Sequence, residues 1–221
     1  MSAVLNPSYR QRIGYQAGLL GGFAMVAAAL LTMGDIATRE PIAERRAEDL
    51  RASLEQVIPS STHDNDLLAA TLELDGPDGD TRTVYRALSG LDIQALAFRV
   101  NEPGYAGPID LMLGLDARGH ILGVRVLAHS ETPGLGDKIE VERDDWILGF
   151  NGLSLDDPPP ERWGVKKDGG DFDQFSGATI TPRAVVKAIR GGLQWFDDNR
   201  EALTASAVIQ QEQAHGDSDG D

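Results

Sequence analysis

Residues 171–182 read DFDQFSGATITP. Three hydroxyls, Ser176, Thr179 and Thr181, crowd around Gly177 and Ala178 just ahead of a long amphipathic run. Pro182 suits the first position of a helix, where its missing N–H costs nothing. Thr181 then takes the N-cap, where its hydroxyl satisfies an orphan N–H. Val185 or Val186, Ile189, Leu193 and Phe196 follow at helical spacing as a buried stripe. Propensity disfavours Gly191-Gly192 inside that helix, so the pair marks a close packing contact. A helix start offers unsatisfied N–H groups and the positive end of a dipole, an anion site that suits phosphate. Gly177 lets a ligand approach the backbone, and Ser176 and Thr179 can donate hydrogen bonds or be esterified. On spacing alone the same residues describe a capped helix behind a polar turn, with no ligand, because Ser, Thr and Gly are enriched at helix starts.

Upstream, residues 129–137, HSETPGLGD, leave a predicted strand through a proline and two glycines. Loops at strand ends are where ligands bind. Pro133-Gly134 suits a type II turn, which pushes Leu135 outward, where it can pack on an aromatic ring. The plainer alternative is a surface turn whose leucine folds back into the core. Runs of strand character precede it at 70–74, 83–87, 95–100, 109–115 and 121–128, separated by Gly, Pro, Asp and Asn. The last two flank a connection, 116–119, ending in glycine, and should pair as a hairpin. Residues 143–150, RDDWILGF, suit a short helix, and 151–170 are rich in loop residues.

Residues 13–33, IGYQAGLLGGFAMVAAALLTM, carry no charge. About 20 apolar residues span a bilayer core as a helix, and glycines are common in such helices. A cleaved signal peptide has a shorter apolar core, roughly 7–15 residues, ending at a small-x-small site; Leu-Leu-Thr-Met makes a poor one, so an uncleaved anchor is expected. Arginines lie on both sides of the span, at 10 and 12 and at 39, 45, 46 and 51, and do not orient it. Residues 34–60 read as a helical stalk: Leu50, Leu54, Val57 and Ile58 form one apolar stripe that docks on the domain, and Pro59 ends it. The domain proper is expected at 61–205, between a short N-terminal tail, 1–12, and an acidic, disordered tail, 206–221.

The chain has 221 residues, enough for one sizeable domain with appendages. Its 35 acidic against 20 basic side chains, a formal charge of −15, argue against a nucleic-acid partner, which needs a basic face. With no cysteine, disulfides, zinc–thiolate sites and cysteine-ligated iron–sulfur clusters are excluded. His63, His120, His129 and His215 are scattered without ligand spacing, so no metal site is expected. Redox chemistry here would need a bound organic cofactor or an unusual metal site.

Two motifs together, DxxSGATxT followed by Pro and SETPGLGDKI, resemble the G subunit of the Rnf electron transport complex. The resemblance runs over nearly the whole chain, with the anchor, the glycine-rich turn, KKDGGDFDQFSGATITPRAVVKAI and the last helix in the family's order. The related C subunit of the sodium-pumping NADH:quinone oxidoreductase shares the SGAT core and is usually longer. The resemblance implies an α/β chain of the α+β type, a transmembrane helix followed by a mixed strand/helix FMN-binding domain. It implies FMN bound covalently through its phosphate to Thr179, with Asp173, Ser176, Gly177 and Ala178 completing the motif read by a flavin transferase. It places the isoalloxazine against the PGLG turn, and so Glu131, Thr132, Gly134 and Leu135 in the pocket.

The role implied is an electron-carrying subunit of an oxidoreductase that couples electron transfer between NADH and ferredoxin to ion translocation. Its partners would be the membrane and iron–sulfur or flavin subunits of that complex. The chain would be single-pass in the cell inner membrane, its tail cytoplasmic and its FMN domain periplasmic. No Gly-x-Gly-x-x-Gly follows a strand, so this chain is not expected to bind NADH itself. The rival readings are the C-subunit role, and a membrane-anchored binding or sensory module in which SGAT merely caps a helix.

Overall fold

The computed structural model describes residues 13–77 and 79–205; the expected tails, 1–12 and 206–221, lie outside them. The described chain runs α1 (Ile13–Val57), five strands, a series of 3-10 turns, α2 (Ile180–Asp198) and a short α3 (Arg200–Thr204). It divides into two compact units, Met1–Asp49 and Leu50–Asp221.

In the first unit α1 shows its apolar side chains outward, among them Leu19, Leu20, Phe23, Met25, Leu30 and Leu31. It is long and apolar enough to cross a membrane. A helix that is apolar and exposed all round fits a membrane anchor. The expected anchor and stalk are one unbroken helix, with Pro41 inside it. A proline there removes one backbone hydrogen bond, and the helix continues through it.

The second unit is built on an antiparallel sheet whose strands lie in chain order: β1 (Thr71–Asp75), β2 (Thr81–Ser89), β3 (Asp92–Pro103), β4 (Pro108–Asp116) and β5 (Ile121–Ala128). All five answer to predicted runs. The expected hairpin closes through Asp116, whose N–H reaches the His120 carbonyl at 2.9 Å, with Gly119 at φ +92°. The Asp116 carboxylate accepts the N–H groups of Arg118 and His120, each at 2.8 Å, and faces the His120 ring. Partial burial opposes its charge, but those donors outweigh it and hold its pKa below the ordinary value.

Side chains alternate between the two faces of a strand, and here the faces differ in size. Leu96, Phe98 and Val100 of β3, with Leu111, Leu113 and Val124, meet Val185, Val186, Ile189, Leu193 and Phe196 of α2. Each fully buried side chain of this kind stabilises by about 1.5–3 kcal/mol. On the opposite face Ala87, Ala95 and Ala97 leave room for Leu54 and Val57 of the last turn of α1 and for Ile58 just beyond it, all three buried there. Gly114 and Gly123 sit opposite each other in that face. A Cβ at Gly114 would lie 2.4 Å from the Val57 carbonyl oxygen.

The glycine pair in α2 behaves asymmetrically. A Cβ at Gly192 would meet Leu113 and Val100 at 2.8 and 2.9 Å, the close contact expected, whereas Gly191 faces open space.

Between β5 and α2 the chain makes 3-10 turns at Asp137–Ile139, Asp145–Phe150, Pro160–Arg162 and Lys166–Asp168. The short helix expected at 143–150 is the second of these, started by Asp144, which accepts the Trp146 N–H at 2.9 Å. Trp146, Phe150, Trp163, Phe172 and Phe175 form a chain of ring contacts with centroids 4.7 to 6.3 Å apart. This aromatic cluster supports the loop that carries residues 171–179.

Candidate functional site

The sheet and α2 bring the two glycine-bearing segments together. Thr132 accepts the N–H groups of Leu135 and Gly136 at 3.1 and 3.0 Å, and Gly134 has φ +78°. This is the type II turn that Pro133-Gly134 demands. It leaves Leu135 exposed, as expected, with its Cδ2 only 3.6 Å from where a Cβ at Gly177 would stand. Gly177 itself has φ +82°, a left-handed conformation that glycine adopts without strain.

A pocket of about 250 Å³ opens between these segments, lined among others by Thr132, Leu135, Ala178, Thr179 and Ile180. Tyr105, at the tip of the β3–β4 connection, closes its other side and is 70% exposed. Leu135, Tyr105 and Ile180 are the pocket's exposed large side chains, while Glu131 and Thr181 are buried polar groups.

The floor is Glu131. Its carboxylate is buried and accepts the N–H groups of Tyr105 and Ala106 at 2.9 and 3.0 Å through Oε1. Its Oε2 takes the hydroxyl of Thr181 in a short hydrogen bond. The Glu131 N–H donates to His129 Nδ1 at 3.0 Å. That leaves His129 Nε2 to carry the proton toward Glu140, 2.7 Å away.

The three clustered hydroxyls therefore part company. Thr181 is buried and committed to Glu131; it is not the N-cap expected of it. The helix begins two residues earlier, with Ile180 first and Thr179 in the capping position. Pro182 then sits within the first turn, where N–H groups have no intrahelical partner to lose. Thr179 makes no capping hydrogen bond, and its hydroxyl has no partner among the described residues. It is half-buried and faces the pocket. Ser176 is exposed in the preceding turn, away from the pocket lining.

The sequence family of the FMN-binding domain matches residues 104–194, which hold both segments. The G subunit of an ion-translocating oxidoreductase complex from Cereibacter sphaeroides is 54% identical over 187 residues, 85% of each chain. Its counterpart from Stutzerimonas stutzeri is 46% identical over 188 residues, 85% of this chain and 82% of that one. The chain belongs to the family of G subunits of ion-translocating oxidoreductase complexes. The NqrC of Shewanella oneidensis, a solved structure, is 23% identical, with a TM-score of 0.45 over 70% of this chain and 74% of that one.

As a G subunit, the chain is part of an oxidoreductase and carries an FMN-binding domain, and its apolar α1 fits a membrane anchor. Of the residues singled out from the G-subunit motifs, Glu131, Thr132, Leu135, Gly177, Ala178 and Thr179 meet at one pocket. Gly134 and Ser176 shape the two turns beside it. Asp173 stands apart: its exposed carboxylate pairs with Lys166 Nζ at 2.6 Å, and its carbonyl accepts the Trp146 indole N–H at 3.0 Å. Nearby, Arg183 bonds both oxygens of Asp168, at 2.7 and 2.9 Å, and holds that carboxyl below its usual range.

Tyr105, Gly136, Ile180 and Thr181 also line the pocket. A Cβ at Gly136 would meet Glu131 Cβ at 2.9 Å and Thr181 Oγ1 at 3.0 Å. Tyr105 does carry a signal in the sequence: it is an aromatic residue at the centre of Pro-Gly-Tyr-Ala-Gly-Pro, between two strands.

Proposed function

We propose that the chain carries FMN as a phosphoester on Thr179 and passes electrons within its complex, between NADH and ferredoxin, coupled to ion translocation. The observation that carries this reading is the Thr179 hydroxyl, unpartnered at a helix start and open to a pocket of matching character. FMN supplies the electron chemistry when bound, and the protein holds and orients it. The residues fit the group. The helix start favours phosphate, and Tyr105 and Leu135 offer apolar surfaces for a flat ring. Pockets for drug-sized ligands run roughly 300–1,000 Å³, so a cavity of about 250 Å³ would hold only part of a flavin.

The ester requires Thr179 to lose its hydroxyl proton and displace a leaving group from phosphorus. That step needs an activated flavin nucleotide and a flavin transferase, the maturation partner, which reads Asp173, Ser176, Gly177, Ala178 and Thr179. Protein purified from its own membrane should show, under denaturing conditions, an intact mass raised by one FMN less the water lost in the ester. The unmodified mass alone would reject the reading.

If Leu135 covers the ring, Leu135→Ala should keep the covalent FMN and lose about 1–3 kcal/mol of apolar contact. The flavin absorption band and potential should shift at constant flavin-to-protein ratio. An unchanged spectrum and potential would remove the turn from the site.

In this reading the FMN domain faces the periplasm and the N-terminal tail the cytoplasm, which the G-subunit resemblance supports and the arginine count does not. Protease added to intact spheroplasts should digest the domain beyond α1. Digestion only after the membrane is permeabilised would reverse the orientation.

A further inference from the structure

We propose that the buried charge of Glu131 holds the redox potential of the site low. The inference rests on the FMN reading above. Glu131 is 4% exposed and forms part of the pocket lining. Its three donors are the Tyr105 and Ala106 N–H groups and the Thr181 hydroxyl. Among the described residues no lysine or arginine nitrogen pairs with it.

A glutamine would make the same three connections. Its carbonyl would accept both N–H groups, and its amide would donate to the Thr181 oxygen. The strut between the β3–β4 connection and α2 therefore explains the shape of residue 131 but not its charge. Burying an ion without a counter-ion is unfavourable, and the three hydrogen bonds lessen that penalty without removing the negative charge. Inside a pocket of low dielectric the charge acts over several ångströms. It opposes the addition of electrons to any group held above it, and so favours the oxidised form.

The test compares full-length Glu131→Gln and Thr181→Val with wild type, each matured with a flavin transferase. Covalent FMN is measured by denaturing mass spectrometry, and the midpoint potential by redox titration. Glu131→Gln should have a more positive midpoint potential, read on the flavin it carries. Thr181→Val removes a donor while keeping the charge, and should show no rise in potential. A potential unchanged in Glu131→Gln would overturn the proposal. So would an equal rise in Thr181→Val, because repacking alone would then account for it. Wild-type protein without FMN would instead overturn the reading of the site beneath it, and this proposal with it.

Discussion

Thr179→Val, made alongside a competent flavin transferase, is expected to fold, insert and carry no FMN that survives denaturation. Valine keeps the branched shape and its χ1 restriction and deletes only the oxygen. That oxygen bonds to nothing in the described chain, so its loss should change stability little while removing the ester completely. Thr181→Ala should behave in the opposite way. Its hydroxyl serves Glu131 in the buried floor, and leaving a buried polar group short of a donor costs about 1–3 kcal/mol. This variant should keep its FMN mass and melt earlier. Ser176→Ala should lower the modified fraction without moving the site. FMN retained by Thr179→Val, or mapped by peptide to Ser176 or Thr181, would overturn the assignment.

The second large effect lies on the other face of the sheet. Gly114→Val should destabilise the full chain by at least about 3 kcal/mol, at or beyond the upper end of ordinary overpacking. A Cβ there lies 2.4 Å from the Val57 carbonyl oxygen and 2.9 Å from Val57 Cβ. The first of these is a backbone atom that no rotamer change can move. Gly191→Ala provides the contrast. Its Cβ would enter open space inside a helix, so it should stabilise by about 0.5–1 kcal/mol. Thermal melts of the two variants in detergent should move in opposite directions. A Gly114→Val melt close to wild type would mean that α1 does not dock on this face.

Much of this architecture is legible in the residues because its signals are local. Runs of strand-forming residues bounded by Gly, Pro, Asp and Asn locate the strands, although 83–87 marks only the middle of β2, whose end residues Thr81 and Ser89 are exposed and polar. The 3.6-residue stripe locates α2, and Pro133-Gly134 dictates its own turn. Thr181 shows where local signals stop. A threonine before a proline looks like a cap, and only the arrival of Glu131 from 50 residues away gives its hydroxyl another partner. Tyr105 is only half legible for a related reason: its turn sequence marks a loop tip, but nothing adjacent reveals which pocket that tip will overhang. The aromatic cluster is likewise invisible, since its rings are spread from Trp146 to Phe175 and meet only once the 3-10 turns stack them. The expected anchor and stalk form one helix because composition changes near residue 34 while helical geometry does not.

The strand order has a consequence for how the molecule comes into being. Five strands that pair in chain order close only short loops, so the sheet can assemble stepwise as the chain is made. α2 reaches back much further: Trp195 to Asp75 across 120 residues, Lys187 to Glu102 across 85, Thr181 to Glu131 across 50. One wall of the pocket is therefore ready early, while the other arrives with the last helix. The pocket is expected to form late, once α2 has packed on the sheet. A folding defect in α2 should accordingly surface first as a maturation defect, in molecules whose sheet is already complete.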